Sequence, residues 1–281
     1  MSFEELIKSY SKPIDAIPVS ISRRGILEGP IKAILFDVYG TLLISEAGDI
    51  GVAKEWANRN IHEIAGLLDR YCIHIPPHIL LEAFFCEIER SKEKLIDQGI
   101  NYPEIRIEEI WGKVLGIGDM DRIKSFAVEY ELIVNPVYPM PHLKEMLNGC
   151  RKKNIPMGVI SNAQFYTPCL FTSLLGNDLI GLGFVKELLL FSYALGYGKP
   201  SLDMFEEATG RLEKMGIARK NVLYVGNDML TDIFPAMTIG FQTALFAGDG
   251  RSLNLRRDDA KCKGVSPDII VTDLLQILEY I

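Results

Sequence analysis

Ile31-Lys32-Ala33-Ile34-Leu35-Phe36-Asp37-Val38-Tyr39-Gly40-Thr41-Leu42-Leu43 is an apolar run that ends on a carboxylate and turns at once through a glycine. A strand buried on both faces reads as a continuous hydrophobic run, and open α/β sheets place their sites just beyond the carboxyl ends of such strands. Asp37 stands at that end, presented as a reactive group. By itself the segment is equally compatible with an ordinary strand that stops at a polar turn residue.

Three later segments bear on the choice. Val159-Ile160-Ser161-Asn162 is a second apolar strand, ending in a hydroxyl. Gly196-Tyr197-Gly198-Lys199-Pro200 sets a lysine between a turn and a new helix, and Asn221-Val222-Leu223-Tyr224-Val225-Gly226-Asn227-Asp228 is a third strand with Asp232 four residues beyond its final acid. The order Asp, Ser, Lys, acid pair is similar to the four motifs of the haloacid dehalogenase superfamily, hydrolases that use an aspartate nucleophile. The resemblance runs from Ile31 to the strand Asp268-Ile269-Ile270-Val271 and a last helix. It implies an α/β fold, a Rossmann-like parallel sheet with an inserted α-helical cap domain.

The organisation of the chain agrees with that expectation. Ala53, Trp56, Ala57, Ile61, Ile64, Ala65 and Leu68 follow helical spacing, as do Leu81, Phe84, Phe85 and Ile88. Ile107 to Leu115 and Ile123 to Val134 repeat the pattern, so four amphipathic helices are expected with no strand among them. The division is an N-terminal extension over 1–30, a hydrolase core over 31–45 and 136–281, and a helical cap over 46–135. The cap aromatics fall on the apolar stripes and read as core rather than pocket. The extension carries three prolines and no sustained period, and is expected to lie on the surface or be partly disordered.

The resemblance assigns roles. Asp37 is the nucleophile and Thr41 orients it; Ser161 and the Asn162 backbone hold a nonbridging oxygen of the transferred group, and Lys199 supplies positive charge. A carboxylate that attacks phosphorus or carbon splits a difficult hydrolysis into two steps, but its own charge repels an anionic substrate. Magnesium answers that need, since it takes an octahedral oxygen shell with one or two carboxylates, waters and substrate phosphate. Asp37, Asp228, Asp232 and the backbone carbonyl of Tyr39 are the expected ligands. Asp228 and Asp232 also satisfy a simpler description, a helix N-cap with an acid in its first turn. Asn227 occupies the place where many relatives carry the first acid.

Tyr39 is the main departure from the phosphatase pattern, which has a second aspartate there as general acid and base. An unperturbed phenol titrates near 10, too high for that task at neutral pH. Aspartate, any residue, tyrosine, glycine, threonine is the pattern of the superfamily's metal-independent haloacid dehalogenases, from which halide leaves without a proton. Those enzymes have a tyrosine six residues after the motif lysine, where Phe205 stands here, and lack the acid pair. Their cap arginine would correspond to Arg59 or Arg70, although arginines in helices usually face solvent. The expected activity is therefore a magnesium-dependent phosphatase of small phosphorylated or acyl-phosphate-like metabolites, with dehalogenation as the alternative and a non-catalytic scaffold as the third reading.

Composition narrows the partners. Thirty basic against thirty-seven acidic residues leave a net charge of −7, which gives no electrostatic footprint for nucleic acid. The one basic cluster, Arg251 to Lys263, includes Asp258 and Asp259 and reads as a solvated face. Five cysteines without a Cys-x-x-Cys pair suggest neither a disulfide framework nor a zinc site, which fits a reducing cytoplasm. No apolar run reaches the roughly 18 residues of a membrane helix, so the expected partner is a small molecule.

Overall fold

The computed structural model describes residues 2–47 and 50–281. Nine strands are β1 (Arg24–Gly25), β2 (Ala33–Phe36), β3 (Leu43–Ser45), β4 (Val137–Pro139), β5 (Met157–Ser161), β6 (Phe184–Phe191), β7 (Val222–Gly226), β8 (Gln242–Phe246) and β9 (Ile269–Val271). Seven form one sheet in the order β1-β9-β8-β7-β2-β5-β6, parallel throughout except for β1 on β9. Every residue of β2, β5, β7 and β8 is buried, because helices cover both faces, and this is why these strands are continuous apolar runs.

The order of the strands positions the site. From central β2 the chain moves to one side through β5 and β6, then returns to the other side through β7, β8 and β9. Phe36 lies opposite both Val159 and Val225, so the carboxyl ends of β2, β5 and β7 open together at the point of reversal. Ligands of open α/β sheets bind in that crevice.

The helices are α1 (Phe3–Tyr10), α2 (Ile50–Arg59), α3 (Ile61–Arg70), α4 (Pro77–Asp97), α5 (Ile107–Leu115), α6 (Met120–Val134), α7 (Leu143–Lys152), α8 (Thr167–Leu175), α9 (Ser192–Leu195), α10 (Leu202–Lys214) and α11 (Phe234–Ile239). Phe36 and Val159 face Leu147 of α7 and Phe171 of α8, while Leu35, Ile160 and Tyr224 face Phe205 of α10 and Ala236 of α11. Helices α3 to α6 bury an apolar cluster of their own, in which Trp111 stacks on Phe84 at 3.9 Å and meets Phe126 and Tyr130 edge-on. The aromatics of this region are core, as their spacing implies. The antiparallel ribbon of β3 and β4 carries the chain into and out of these helices.

Three details differ from the sequence reading. The first expected helix is two, α2 and α3, separated at Asn60, whose side-chain amide donates to the Trp56 carbonyl at 2.9 Å and competes with the helical ladder. The segment after β9, Leu274–Glu279, forms 3-10 turns rather than an α-helix. The largest difference is the N-terminal extension. Its helix α1 begins with a capping box between Ser2 and Glu5 and packs against α6 and α8, with Leu6 and Ile7 buried in the main core. Eight residues give only two turns, too short a stretch for a helical period to stand out in the sequence. The extension then joins the core, where Ile17 N–H donates to Asp249 at 2.8 Å and β1 pairs with β9.

Candidate functional site

Asp37 follows β2 and is 6 % exposed, with its N–H bonded to the Val225 carbonyl at 2.9 Å. The turn beyond it needs Gly40: its φ is +85°, and a Cβ there would lie 2.6 Å from the Asn227 side chain. Lys199, just beyond α9, is equally buried, and its Nζ donates to Asp37 Oδ1 at 2.6 Å, to Asp232 Oδ1 at 2.5 Å and to Tyr224 Oη at 3.1 Å. Burial alone would lower the ammonium's pKa, but Asp232 and Asp37 overcome it and hold it above its usual value. Burial in turn raises the Asp232 carboxyl, against the opposing pull of Lys199, because two carboxylates share one ammonium.

Asn162 ties the β5 loop to this lysine. Its side-chain amide donates to the Lys199 carbonyl at 3.0 Å and accepts the Lys199 N–H at 2.6 Å. Ser161 is fully buried at the end of β5. Asp232 reaches the centre through a wide π-turn, Met229–Ile233, and a glycine at 226 is required because a Cβ there would lie 2.3 Å from Asp232 Cγ. Of the residues named in the sequence analysis, the fold brings the side chains of Asp37, Lys199 and Asp232 together; Asn162, expected to act through its backbone, holds the Lys199 backbone with its side-chain amide.

Two of the expected site residues make their side-chain contacts elsewhere. The Asp228 carboxylate is engaged elsewhere: its Oδ2 accepts two hydrogen bonds from Arg256, at 2.7 and 2.9 Å, and its Oδ1 caps Leu230 and Thr231, while its N–H donates to Asp232 Oδ2 at 2.9 Å. The N-cap of the simpler description is formed, and among the described residues no group of three metal-ligating side chains gathers. Thr41, expected to orient Asp37, instead donates to Asn227 Oδ1 at 3.0 Å, while Asn227 Nδ2 donates to the Ser252 carbonyl at 2.6 Å. This pair pins the β7 loop to the turn after Asp37.

Magnesium's fit can be judged from the donors that remain. Asp37 spends Oδ1 on Lys199, and Oδ2 accepts no hydrogen bond among the described residues. Asp37 and Asp232 against one ammonium leave a formal charge of −1, and Asp228 with Arg256 adds none. A two-carboxylate set with an excess negative charge suits an ion that keeps several waters. Asp232 already accepts from Lys199 and Tyr224 at Oδ1 and from the Asp228 N–H at Oδ2, so Asp37 Oδ2 is the one open carboxylate oxygen of the cluster among the described residues, and an ion would share Asp37 Oδ1 and the Asp232 oxygens with the donors they already hold.

The Tyr39 hydroxyl is bound to Thr167 Oγ1 at 2.8 Å, and burial, Glu131 and Asp37 all push the phenol above its ordinary value, so it is a poor proton donor. Arg59 is paired with Glu55, and Arg70 with Glu129 and Tyr10. Sequence reasoning missed Tyr224, whose hydroxyl meets Lys199, Asp232 and the Ile160 carbonyl. Its only signal is a hydroxyl inside an otherwise apolar buried strand. It also missed Arg256, a member of the basic cluster that turns inward.

The match to known proteins follows the same lines. A family model for haloacid dehalogenase-like hydrolases matches residues 31–236, and a second for HAD-like hydrolases matches 196–277. The chain is 27 % identical over 218 residues to glyceraldehyde 3-phosphate phosphatase of Methanocaldococcus jannaschii, covering 76 % of this chain and 83 % of the relative. Among solved structures, a 2-haloacid dehalogenase from Pseudomonas syringae pv. Tomato DC3000 aligns with a TM-score of 0.55 at 19 % identity, over 89 % of this chain and 97 % of the other. A further dehalogenase aligns with a TM-score of 0.53 at 15 % identity, over 91 % and 99 %. At these identities the structural likeness concerns the fold.

Proposed function

Because the chain belongs to the haloacid dehalogenase-like hydrolases, we propose that it is a phosphatase of small phosphorylated or acyl-phosphate-like metabolites, with Asp37 as nucleophile. The observation that carries this reading is the buried Lys199 ammonium bound at once to Asp37 and Asp232. Asp37 Oδ2 attacks phosphorus, and the bond from phosphorus to the leaving oxygen breaks. Water then attacks the phosphorus of the aspartyl phosphate, releasing phosphate and restoring the carboxylate. Lys199 orients Asp37 and offsets charge on the transferred group; the Ser161 hydroxyl and the Asn162 N–H hold one of its oxygens. Asp232 and Tyr224 fix Lys199. Magnesium, held by Asp37, Asp232 and the Tyr39 carbonyl, would supply the positive charge that the site's formal −1 lacks when a phosphate approaches. The helices of residues 46–135 act as the cap over this crevice. The relation to a phosphatase across three quarters of the chain supports this choice of substrate class, and five unpaired cysteines suit a reducing cytoplasm.

A second reading, dehalogenation, is favoured by one observation: Tyr39, locked to Thr167, offers no acid for an alcohol leaving group. Rates on para-nitrophenyl phosphate and on 2-chloropropionate, with added magnesium or with chelator, separate the two. Magnesium-dependent release of nitrophenol, lost by several powers of ten in Asp37→Asn, is expected. A loss below tenfold contradicts covalent catalysis by Asp37, and chloride release that persists in chelator selects the second reading.

A further inference from the structure

Glu104 belongs to the segment between α4 and α5, which crosses the loops that follow β5 and β6. Its Oε2 accepts the Ser192 hydroxyl at 2.6 Å, and the Ser192 oxygen accepts the Ala163 N–H at 2.9 Å. Its Oε1 accepts the Ile105 N–H at 3.0 Å and the Gln164 side-chain N–H at 3.1 Å. The same Gln164 amide donates to the Ile105 carbonyl at 2.9 Å and accepts the Ile107 N–H at 3.0 Å. Backbone bonds run alongside: Glu104 N–H to the Gly196 carbonyl at 3.0 Å, and Gly198 N–H to the Tyr102 carbonyl at 2.9 Å. Ala163 and Gln164 directly follow Ser161 and Asn162, and Gly198 directly precedes Lys199. One side chain of the inserted helices is therefore bound into both loops that carry the substrate contacts.

We propose that Glu104 is a positioning residue for the Ser161–Asn162 turn, acting through Ser192 and Gln164, so that the helical insertion forms part of the anion-holding loop. This rests on the assignment of that turn to the transferred group. All three donors point at the carboxylate, so a neutral apolar replacement takes one acceptor from the Gln164 amide and leaves the Ser192 hydroxyl only the more distant Ala163 carbonyl, at 3.2 Å. Burial raises the Glu104 carboxyl, against the opposing effect of Ser192, Lys92, the Ile105 N–H and Gln164, so a polar group is buried here at a desolvation cost that a purely space-filling contact would not need. A displacement of a substrate-holding loop by about 1 Å can lower rates a hundredfold.

The test uses the full chain and para-nitrophenyl phosphate, with Glu104→Ala, Glu104→Gln, Ser192→Ala and the double variant Glu104→Ala/Ser192→Ala. Glu104→Ala and Ser192→Ala are each expected to lower kcat by about tenfold to a hundredfold with KM changed less than about threefold. The double variant should be no slower than the slower single, because both act through one chain of bonds. Glu104→Gln, which keeps one acceptor for the Ser192 hydroxyl, should lose less than Glu104→Ala. Hydrogen exchange of the peptide spanning residues 159–166 should accelerate in Ser192→Ala at an unchanged melting temperature. Ser192→Ala removes only a hydroxyl and carries the test if Glu104→Ala does not fold. A folded Ser192→Ala with kcat within about threefold of wild type and unchanged exchange, or losses that multiply in the double variant, would overturn the proposal. An inactive Asp37→Asn beside a fully active Ser192→Ala defeats this proposal alone, whereas an active Asp37→Asn defeats the catalytic reading beneath it.

Discussion

In the proposed chemistry, Tyr39 sets which leaving groups the site can expel. Its hydroxyl is committed to Thr167 and its phenol is raised by burial first, then by Glu131 and Asp37. Without a proton donor, departure of an alkoxide forgoes roughly two to four powers of ten, whereas acyl phosphates and activated aryl phosphates lose nothing. Tyr39→Asp should therefore raise kcat/KM on simple alkyl phosphates more than on para-nitrophenyl phosphate. Measuring both substrates on wild type and variant between pH 5 and 9 checks this. Equal wild-type efficiency on both classes would mean that another group delivers the proton.

Among the elements, α1 has a part that its sequence conceals. Leu6 and Ile7 enter the same core as β2 and β5, and Tyr10 donates to Glu129 of α6 at 2.8 Å. Burial raises the Tyr10 phenol to about 12, and Glu129 adds to the shift. The first helix thereby connects a helix of the insertion to α8 of the sheet layer. Ile7→Ala is expected to cost about 2–5 kcal/mol, the range for a fully buried aliphatic residue truncated to alanine. A surface extension would give a change within about 0.5 kcal/mol. Urea denaturation followed by fluorescence separates the two values.

At the scale of the whole molecule, the charge cluster joins parts far apart in the chain. Asp37 extends β2, Lys199 follows α9, Tyr224 lies in β7 and Asp232 in the turn beyond it, so the ionisation of Asp232 is coupled to global folding. The folded state raises the Asp232 pKa and binds its proton more tightly than the unfolded chain does. Its contribution is therefore fully present below the ordinary value of 3.8 and is lost as pH rises through the raised folded value. Asp232→Asn should remove that falling component from a plot of unfolding free energy against pH. An unchanged slope in the variant would contradict the raised value. No helix among the described residues is long and apolar enough to cross a membrane.

The sequence by itself determined the parallel sheet, the helical stretch between Asp37 and β4, and the positions of Asp37, Ser161, Lys199 and Asp232. Buried strands and amphipathic helices have periods that local residues impose, and the chemistry-bearing residues stand at the ends of those periods. Only the tertiary structure decided which acid turns inward. Asp228 and Asp232 are equivalent on spacing, but Arg256, twenty-eight residues further on, takes the first, while the π-turn delivers the second to Lys199. The same holds for Tyr224, Glu104 and Thr41, whose partners lie in other elements, and for α1, whose two turns acquire their stability from α6 and α8. A side chain's partner is set by packing across the sheet and between layers, and no local period encodes it.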